Sequence, residues 1–509
     1  MSDEYTQNLL DSDEALVAIE APAGCGKTYQ GARYAHRAVS RLTRGRVLIL
    51  THTHAACSVF SSETRQDAAH VEIRTIDSLV TSIAAAYHKS LGLPSDPGAW
   101  ARRRGPDGFG ELATGVAALM TARPMIGVAL SERYPVVIGD EHQDSSAAQH
   151  AIVMALHNGG SRLRLFGDPM QHIYGGRADA TRAEDRARWD ALKTKASFDE
   201  LDTPHRWTAG SPELGRWILQ AREALSKGKP VDLRDRLPQG LSVLLADNIA
   251  PNYTGYRIDQ NDRHPLDQIV KCNQPLLILT GQNATAKALR AMWGRRIPIW
   301  EGYTRDDLGA LVTAIVDETG NPAVIAQAVV TFLGAVGVGF SLSSHGNILL
   351  REIYHNCLKP TRGKPACLQY LARCILEQPN HVGVAKCLQE LAKLTDSGTA
   401  GFEEIAFDYR SEFHDAIRLG QFVDPDEAMK EIHRRRSFAR PFPPDRAIST
   451  IHKAKGLQCE NAIVLPCDRQ RFGASDYARC KLYVALSRAR RSLTLVLPRQ
   501  DPSPLFRLA

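Results

Sequence analysis

The segment Ala21-Pro-Ala-Gly-Cys-Gly-Lys-Thr28 constrains this chain more than any other. It follows a β-rich apolar run at Leu16–Ile19 and precedes a helical run from Tyr29 to Leu42. A glycine-bearing loop between a strand and a helix turns successive backbone N–H groups toward one point. The positive end of the helix adds to their pull on an anion. The pattern predicts a phosphate cradle at the carboxyl end of a buried strand, formed around Ala23, Gly24, Cys25 and Gly26. Lys27 is placed to reach the β- and γ-phosphates of a nucleoside triphosphate, and Thr28 to hold magnesium. Ala21 stands where such loops usually begin with glycine; Gly24 and Gly26 supply the tight turn.

A second segment, Val136-Val-Ile-Gly-Asp-Glu-His-Gln-Asp144, delivers two carboxylates from the end of another apolar run. Ligands gather at the carboxyl ends of parallel strands. Asp140 is therefore expected to share the magnesium with Thr28, and Glu141 to polarise an attacking water. A lone Asp-Glu pair is usually a solvated edge. The buried run before this one, and Gln143 and Asp144 after it, set it apart.

Short apolar runs recur at Leu163–Phe166, Val47–Leu50, Leu276–Leu279, Ala462–Leu465 and Leu493–Leu497. Runs buried on both faces and separated by helical stretches predict parallel sheets in an α/β design. They fall into two blocks, before and after about Asp202. Residues 81–133 and 305–440 break the rhythm and read as helical insertions, one per block; Ala366–Leu376 and Val384–Leu394 carry apolar stripes at helical spacing. The expected order is lobe one (1–80 and 134–201) around its insertion, then lobe two (202–304 and 441–509) around its own.

Composition limits the class. At 43% hydrophobic and 23% charged, 509 residues can bury several cores, and a net charge of +7 is compatible with a polyanionic partner. The ten cysteines form no CxxC pair. Cys357, Cys367, Cys374 and Cys387, near His355 and His381, fit buried helix-face thiols better than metal ligands, and free thiols suit a reducing compartment. The acidic start, Met1-Ser2-Asp3-Glu4-Tyr5, lacks signal-peptide character, and the apolar stretch Ala323–Leu342 is interrupted by Gln327, Thr331 and glycines. The expectation is a cytoplasmic chain with no membrane span.

Further motifs stand in register with these. Phe166-Gly-Asp-Pro-Met-Gln-His-Ile-Tyr-Gly-Gly-Arg177, Thr450-Ile-His-Lys-Ala-Lys-Gly-Leu457 and Leu482-Tyr-Val-Ala-Leu-Ser-Arg-Ala489 resemble the third, fifth and sixth motifs of the UvrD/Rep/PcrA DNA helicases. Thr51-His-Thr-His-Ala55, Thr75-Ile-Asp-Ser-Leu79 and His205-Arg206 stand where that family's remaining motifs belong. The resemblance implies two RecA-like P-loop lobes with parallel sheets, each carrying a mostly helical insertion, that bind ATP and Mg2+. It further implies that Arg206 and Arg488 neutralise charge on the γ-phosphoryl group and that Gln171 contacts it. Gln7 would read the adenine, His205 would stack on it in place of a tyrosine, and Gly456 and Gln458 would lie against the nucleotide. By the same resemblance His52, Thr53, Thr75, Tyr174, Arg177, His452 and Lys455 face single-stranded DNA or a single-/double-strand junction. Gly176 stands where relatives carry a stacking tryptophan. The basic runs Arg102-Arg-Arg104 and Arg434-Arg-Arg436 with Arg440 are candidate extensions of that face, or solvated surface.

The implied activity is ATP-driven 3′→5′ translocation on DNA, with RNA left open as the track. Short insertions and the absence of a nuclease motif make the chain similar to the helicase-like subunit of the Gabija anti-phage system, which pairs with an OLD-type ATPase/nuclease. The alternative is a DNA-stimulated ATPase that senses or regulates without processive unwinding.

Overall fold

The computed structural model describes residues 2–175, 178–247, 250–252, 255–301, 306–439 and 443–508. The first sheet has six strands: β1 (Leu16–Glu20), β2 (Val47–Thr51), β3 (Val71–Thr75), β4 (Val136–Gly139), β5 (Arg162–Gly167) and β6 (Ser197–Glu200). Their spatial order is β3-β2-β4-β5-β1-β6, and every pairing is parallel. The second sheet is also parallel. It comprises β7 (Leu241–Ala246), β8 (Leu276–Thr280), β9 (Arg446–Thr450), β10 (Cys459–Val464) and β11 (Ala489–Pro498), ordered β9-β8-β10-β11-β7. The α/β class read from the apolar runs is thus the observed one. Each of those runs is a strand, because β1, β2, β4, β8 and most of β5, β10 and β11 are buried on both faces.

Four strands lacked that signature: β3, β6, β7 and β9. All four are sheet edges. An edge strand has a neighbour on one side only and need not be apolar throughout; Val71-Glu-Ile-Arg-Thr75 and Ser197-Phe-Asp-Glu200 illustrate it.

Contacts divide the chain into two compact units. The first comprises Met1–Pro97, Phe109–Trp300 and Phe442–Ala509 and contains both sheets; the second comprises Gly98–Gly108 and Glu301–Pro441. Residues 81–133 are therefore shared between the units. Their helices are the end of Ile76–Ala86, then Pro97–Arg103, Gly108–Ala122 and Met125–Arg133. Within the second unit Arg103 pairs with Asp426 at 2.8 Å. That unit is built mainly of helices around Ile325, Val329, Leu333, Leu349, Leu371, Leu388 and Phe413. Its apolar stretch is the helix Pro322–Val336, started by the Asn321 side chain and followed by Gly339 at φ 80°, where a Cβ would meet the Glu404 carbonyl at 2.1 Å. Cys357, Cys374 and Cys387 are buried thiols, Cys367 is half-buried, and no group of three metal-ligating side chains occurs among the described residues. No single described helix is long and apolar enough to cross a membrane.

One buried cation ties the N-terminal helix Ser2–Asp11 to the first sheet. Arg164 on β5 is fully buried, and its guanidinium donates to the carbonyls of Leu10 (2.7 Å), Ser12 (2.8 Å), Glu14 (2.8 Å) and Leu163 (3.0 Å). Three of these acceptors belong to the end of that helix and the turn after it, where carbonyls lack partners of their own. Arg164→Met keeps much of the volume but strands these acceptors. We expect a loss of about 2–4 kcal/mol, read as a lower urea midpoint for the first unit.

Candidate active site

The loop after β1 turns on two glycines in the left-handed region, Gly24 (φ 79°) and Gly26 (φ 86°). Gly24 is also required by a close approach: a Cβ there would lie 2.6 Å from the Trp207 ring and 2.8 Å from Arg206 Cβ. Helix Lys27–Arg41 starts at Gly26 with no side chain capping it, which leaves its positive end to an anion. Two amides of the expected cradle have partners already. Ala23 N–H donates to the Tyr483 hydroxyl at 2.8 Å, and Cys25, buried and outside the cleft lining, donates its N–H to Pro22 at 3.1 Å.

Lys27 is ion-paired with Glu141 and lies 3.2 Å from Asp140. Burial opposes its charge, yet the two carboxylates hold its pKa well above the usual lysine value. Glu141 reaches this position from φ 54°, an uncommon backbone state for a residue with a side chain, found where function over-determines geometry. Against its burial, Lys27 and Lys455 keep Glu141 well below the ordinary carboxylate range; burial, with Glu141 adjacent, pushes Asp140 up. Asp140 Oδ1 is buried with the Lys27 ammonium 3.2 Å away, and Thr28 lines the same cleft. A hydroxyl and a carboxylate are hard oxygen donors, so these residues fit magnesium.

A cleft of about 440 Å3 opens over this loop. Arg206 and Arg488 line it together with Lys27, Asp140, Glu141, Gln171, Gly456 and Gln458. Arg206 follows β6, while Arg488 lies between the helix Asp476–Leu486 and β11, so the second sheet supplies one of the two guanidinium groups. Both are held by backbone. Arg206 N–H donates to Gly24 (3.0 Å) and its guanidinium to the Ser487 carbonyl (2.7 Å). Arg488 donates to the carbonyls of Val484 (2.8 Å) and Leu457 (3.0 Å) and to Ser487 Oγ (2.7 Å). Burial and the neighbouring Arg206 lower its pKa to about 9. Gln171 is bonded to Asp168 at 2.9 Å, and Asp168 in turn to Arg222 at 3.0 Å.

His205 sits over Gly26 and bonds Asp3 at 2.6 Å. Gln7 is one helical turn beyond Asp3, half-buried, and does not line the cleft. The sequence reading passed over Tyr29, 54% exposed at the cleft directly after Thr28, and Tyr483, whose phenol is buried against the loop. An aromatic next to the loop threonine was the available signal for Tyr29; Tyr483 had none, since its partner is 460 residues away.

The residues assigned to nucleic acid divide. His52 and Thr53 line the same cleft. Thr53 and Thr75 cap the helices His54–Glu63 and Ile76–Ala86 at the ends of β2 and β3. Tyr174, His452 and Lys455 are brought together: the Tyr174 hydroxyl donates to the His452 carbonyl (3.1 Å), and the Lys455 ammonium lies 4.7 Å over the Tyr174 ring. Lys455 pairs with Asp144 and donates to the Gln171 carbonyl at 2.8 Å. Tyr174 is thus engaged by the second half of the chain and is not an open stacking platform here. Arg177 and Gly176 lie outside the described residues, as does Arg440. Of the two basic runs, Arg103 pairs with Asp426, Arg104 lies over Trp100, and Arg435 pairs with Glu431.

Residues 101–182 match the UvrD/REP helicase N-terminal domain and residues 446–496 the UvrD-like helicase C-terminal domain. These two segments are UvrD-like. The first carries Asp140, Glu141 and Gln171; the second carries Lys455, Gly456, Gln458 and Arg488. A relative, the RecBCD enzyme subunit RecB of Mycolicibacterium smegmatis, is 39% identical over 74 residues, 14% of this chain and 7% of RecB. Among solved structures, the Arterivirus nonstructural protein 10 (helicase) aligns over 96% of this chain and 61% of its own, at 10% identity and a TM-score of 0.34. The chain therefore spans less than two thirds of either protein's length.

Beside the UvrD-like acidic segment lies a histidine chain. His52 bonds Ser145 Oγ at 3.1 Å, Ser145 meets His142 at 3.3 Å, and His142 bonds His150 at 2.9 Å. Burial, with Arg188 nearby, lowers His150 to about 4, and burial takes His142 well below its usual value. The folded protein therefore binds fewer protons here than the unfolded chain. Stability is complete above the unfolded histidine value of 6.5 and falls as pH drops toward about 4. We expect His150→Gln to reduce the loss of melting temperature between these pH values, corresponding to about 1–2 kcal/mol after solvent screening.

Proposed function

We propose that the chain is an ATP-dependent DNA translocase of UvrD type, with helicase activity. One observation carries the reading: Lys27 from the first sheet's loop and Arg488 from the second sheet's border line one cleft, with Asp140 and Glu141 between strand end and solvent. The UvrD-like matches support DNA as the track.

In this reading ATP enters the cleft and its terminal phosphates take Lys27 from the two carboxylates. Released from the ammonium, Glu141, with Lys455 still acting on it, orients a water toward the γ-phosphorus and accepts its proton as ADP leaves. Thr28 and Asp140 would hold magnesium, which would supply neutralisation of phosphate charge. Arg206 and Arg488 take up charge developing on the transferred group. Tyr29 and His205, which both line the cleft, offer faces for the base. Loss of the γ-phosphate is sensed at Gln171. Its carbonyl holds Lys455, which also pairs with Asp144 and covers Tyr174, so the phosphate end of the cleft is linked to the nucleic-acid residues by adjoining bonds.

The finer reading is 3′→5′ movement, cytoplasmic, within an anti-phage assembly that resembles Gabija and has an OLD-type nuclease partner. RecB is by name a subunit of a larger enzyme, and we carry over assembly with a partner on that ground. Co-expression with such a nuclease should then yield one stable complex. A second reading, a DNA-stimulated ATPase that does not unwind processively, is favoured by the engagement of Tyr174 with His452 and Lys455, which removes a stacking platform.

Phosphate release measured with single-stranded DNA, single-stranded RNA and duplex tests the whole. Single-stranded DNA should stimulate wild type; Lys27→Ala should abolish turnover, and Arg488→Ala should lower kcat by about 10³-fold. Turnover that survives in Lys27→Ala would sink the assignment. Strand displacement measured beside it separates helicase from regulator.

A further inference from the structure

The second unit carries an exposed loop that the reading above does not use. Helix Asn347–Tyr354 ends in Tyr354-His-Asn-Cys-Leu-Lys-Pro-Thr-Arg-Gly363, and the next helix begins at Lys364. Tyr354 is 82% exposed and Leu358 80% exposed, with the His355 ring edge-on to Tyr354 at 5.1 Å. Tyr354 and Leu358 stand four residues apart and leave large apolar surface open to water.

The loop is nevertheless firmly built. Cys357 is buried, its thiol contacts the carbonyls of Glu352 and Gln369 at 3.6 Å, and the Gln369 amide donates to buried Glu352 (2.8 Å) and to the Lys359 carbonyl (2.7 Å). Asn356 and Cys357 both hold left-handed backbone, φ 51° and 56°. Such a conformation is strained for a residue with a side chain and is retained when its surroundings enforce it. The inward side of the loop is thus fixed by hydrogen bonds, and Tyr354 and Leu358 are turned outward.

Charge is one-sided. From Ile353 to Leu376 the chain contains Lys359, Arg362, Lys364 and Arg373 and no Asp or Glu. Lys359 and Arg362 are exposed and pair with no carboxylate among the described residues, whereas Arg351 faces Glu352 at 3.9 Å. Two cations without counter-charges on the same loop as an exposed aromatic ring suit a polyanion whose bases have flat faces. Stacking on the ring and phosphate pairing with the flanking cations is the common mode for single strands.

We propose that this loop is a second binding site for single-stranded nucleic acid, with a base on Tyr354 and phosphates on Lys359 and Arg362. It rests on nucleic acid being the substrate but not on the ATP cleft. The test uses the full chain and an iodouracil-substituted single-stranded DNA of about 30 nucleotides, crosslinked by light and mapped by mass spectrometry. Adducts are expected on the peptide containing Tyr354 as well as in the first unit. Tyr354→Ala, at an exposed position, should weaken binding by fluorescence anisotropy at least about fivefold. Lys359→Ala/Arg362→Ala should reduce the slope of log affinity against log salt by about 1.4. Adducts confined to the first unit, with affinity and salt slope unchanged in both variants, overturn the proposal and assign the patch to a protein. No adduct anywhere in the chain would instead bring down the nucleic-acid reading itself.

Discussion

The ammonium of Lys27, held between Asp140 and Glu141, is the interaction on which the rest of the site depends. Three charges brought out of water beside one another are costly unless each has a partner. One cation between two carboxylates leaves the group a net anion, which in the proposed cycle favours magnesium beside Asp140 and lets the ammonium exchange carboxylates for phosphates. Placement follows from backbone constraints. Lys27 opens a helix immediately after a left-handed glycine, and the carboxylates stand at the end of β4, with Glu141 forced into the left-handed region.

Around this centre the two sheets meet through a small set of specific contacts. Trp207 fills the space that Gly24 leaves, and its indole donates to Ala489 at 2.6 Å. Tyr483 takes the Ala23 amide. Lys455 pairs with Asp144, and Arg182 and Arg186 reach Asp476 at 2.7 and 3.0 Å. These are polar and directional, unlike the apolar interior of either sheet. Contacts of this kind exchange partners with little loss of packing, which is what the proposed translocation would require of this interface. The engaged position of Tyr174 belongs to the same network, since Lys455 touches both it and Asp144.

The sheet interiors were legible because a strand buried on both faces must be apolar throughout, as Val47–Leu50 and Leu276–Leu279 are. Edge strands such as Ser197–Glu200 obey no such demand and left no mark. In the site, Lys27, Asp140 and Glu141 were legible from local motifs and Arg206 and Arg488 from the family resemblance, and the structure brings all five to one cleft. Gln7, assigned through the family resemblance, does not line the cleft; its helix presents Asp3 to His205. Cys25 was counted in the cradle, but its amide closes the loop's own turn.

By itself the sequence determined the local pieces: two parallel sheets, a glycine loop at the end of β1 and an acidic pair at the end of β4. Each strand, the loop and the pair depend on residues within a few positions of one another, where hydrogen-bond geometry and unbroken apolar runs act directly. The tertiary structure alone decided which distant groups meet. Ala23 with Tyr483, Asp144 with Lys455, Arg164 with the carbonyls after the first helix, and the transfer of Gly98–Gly108 to the second unit all join segments far apart in the chain. Such pairings are set by how cores close in three dimensions, and no local pattern encodes them.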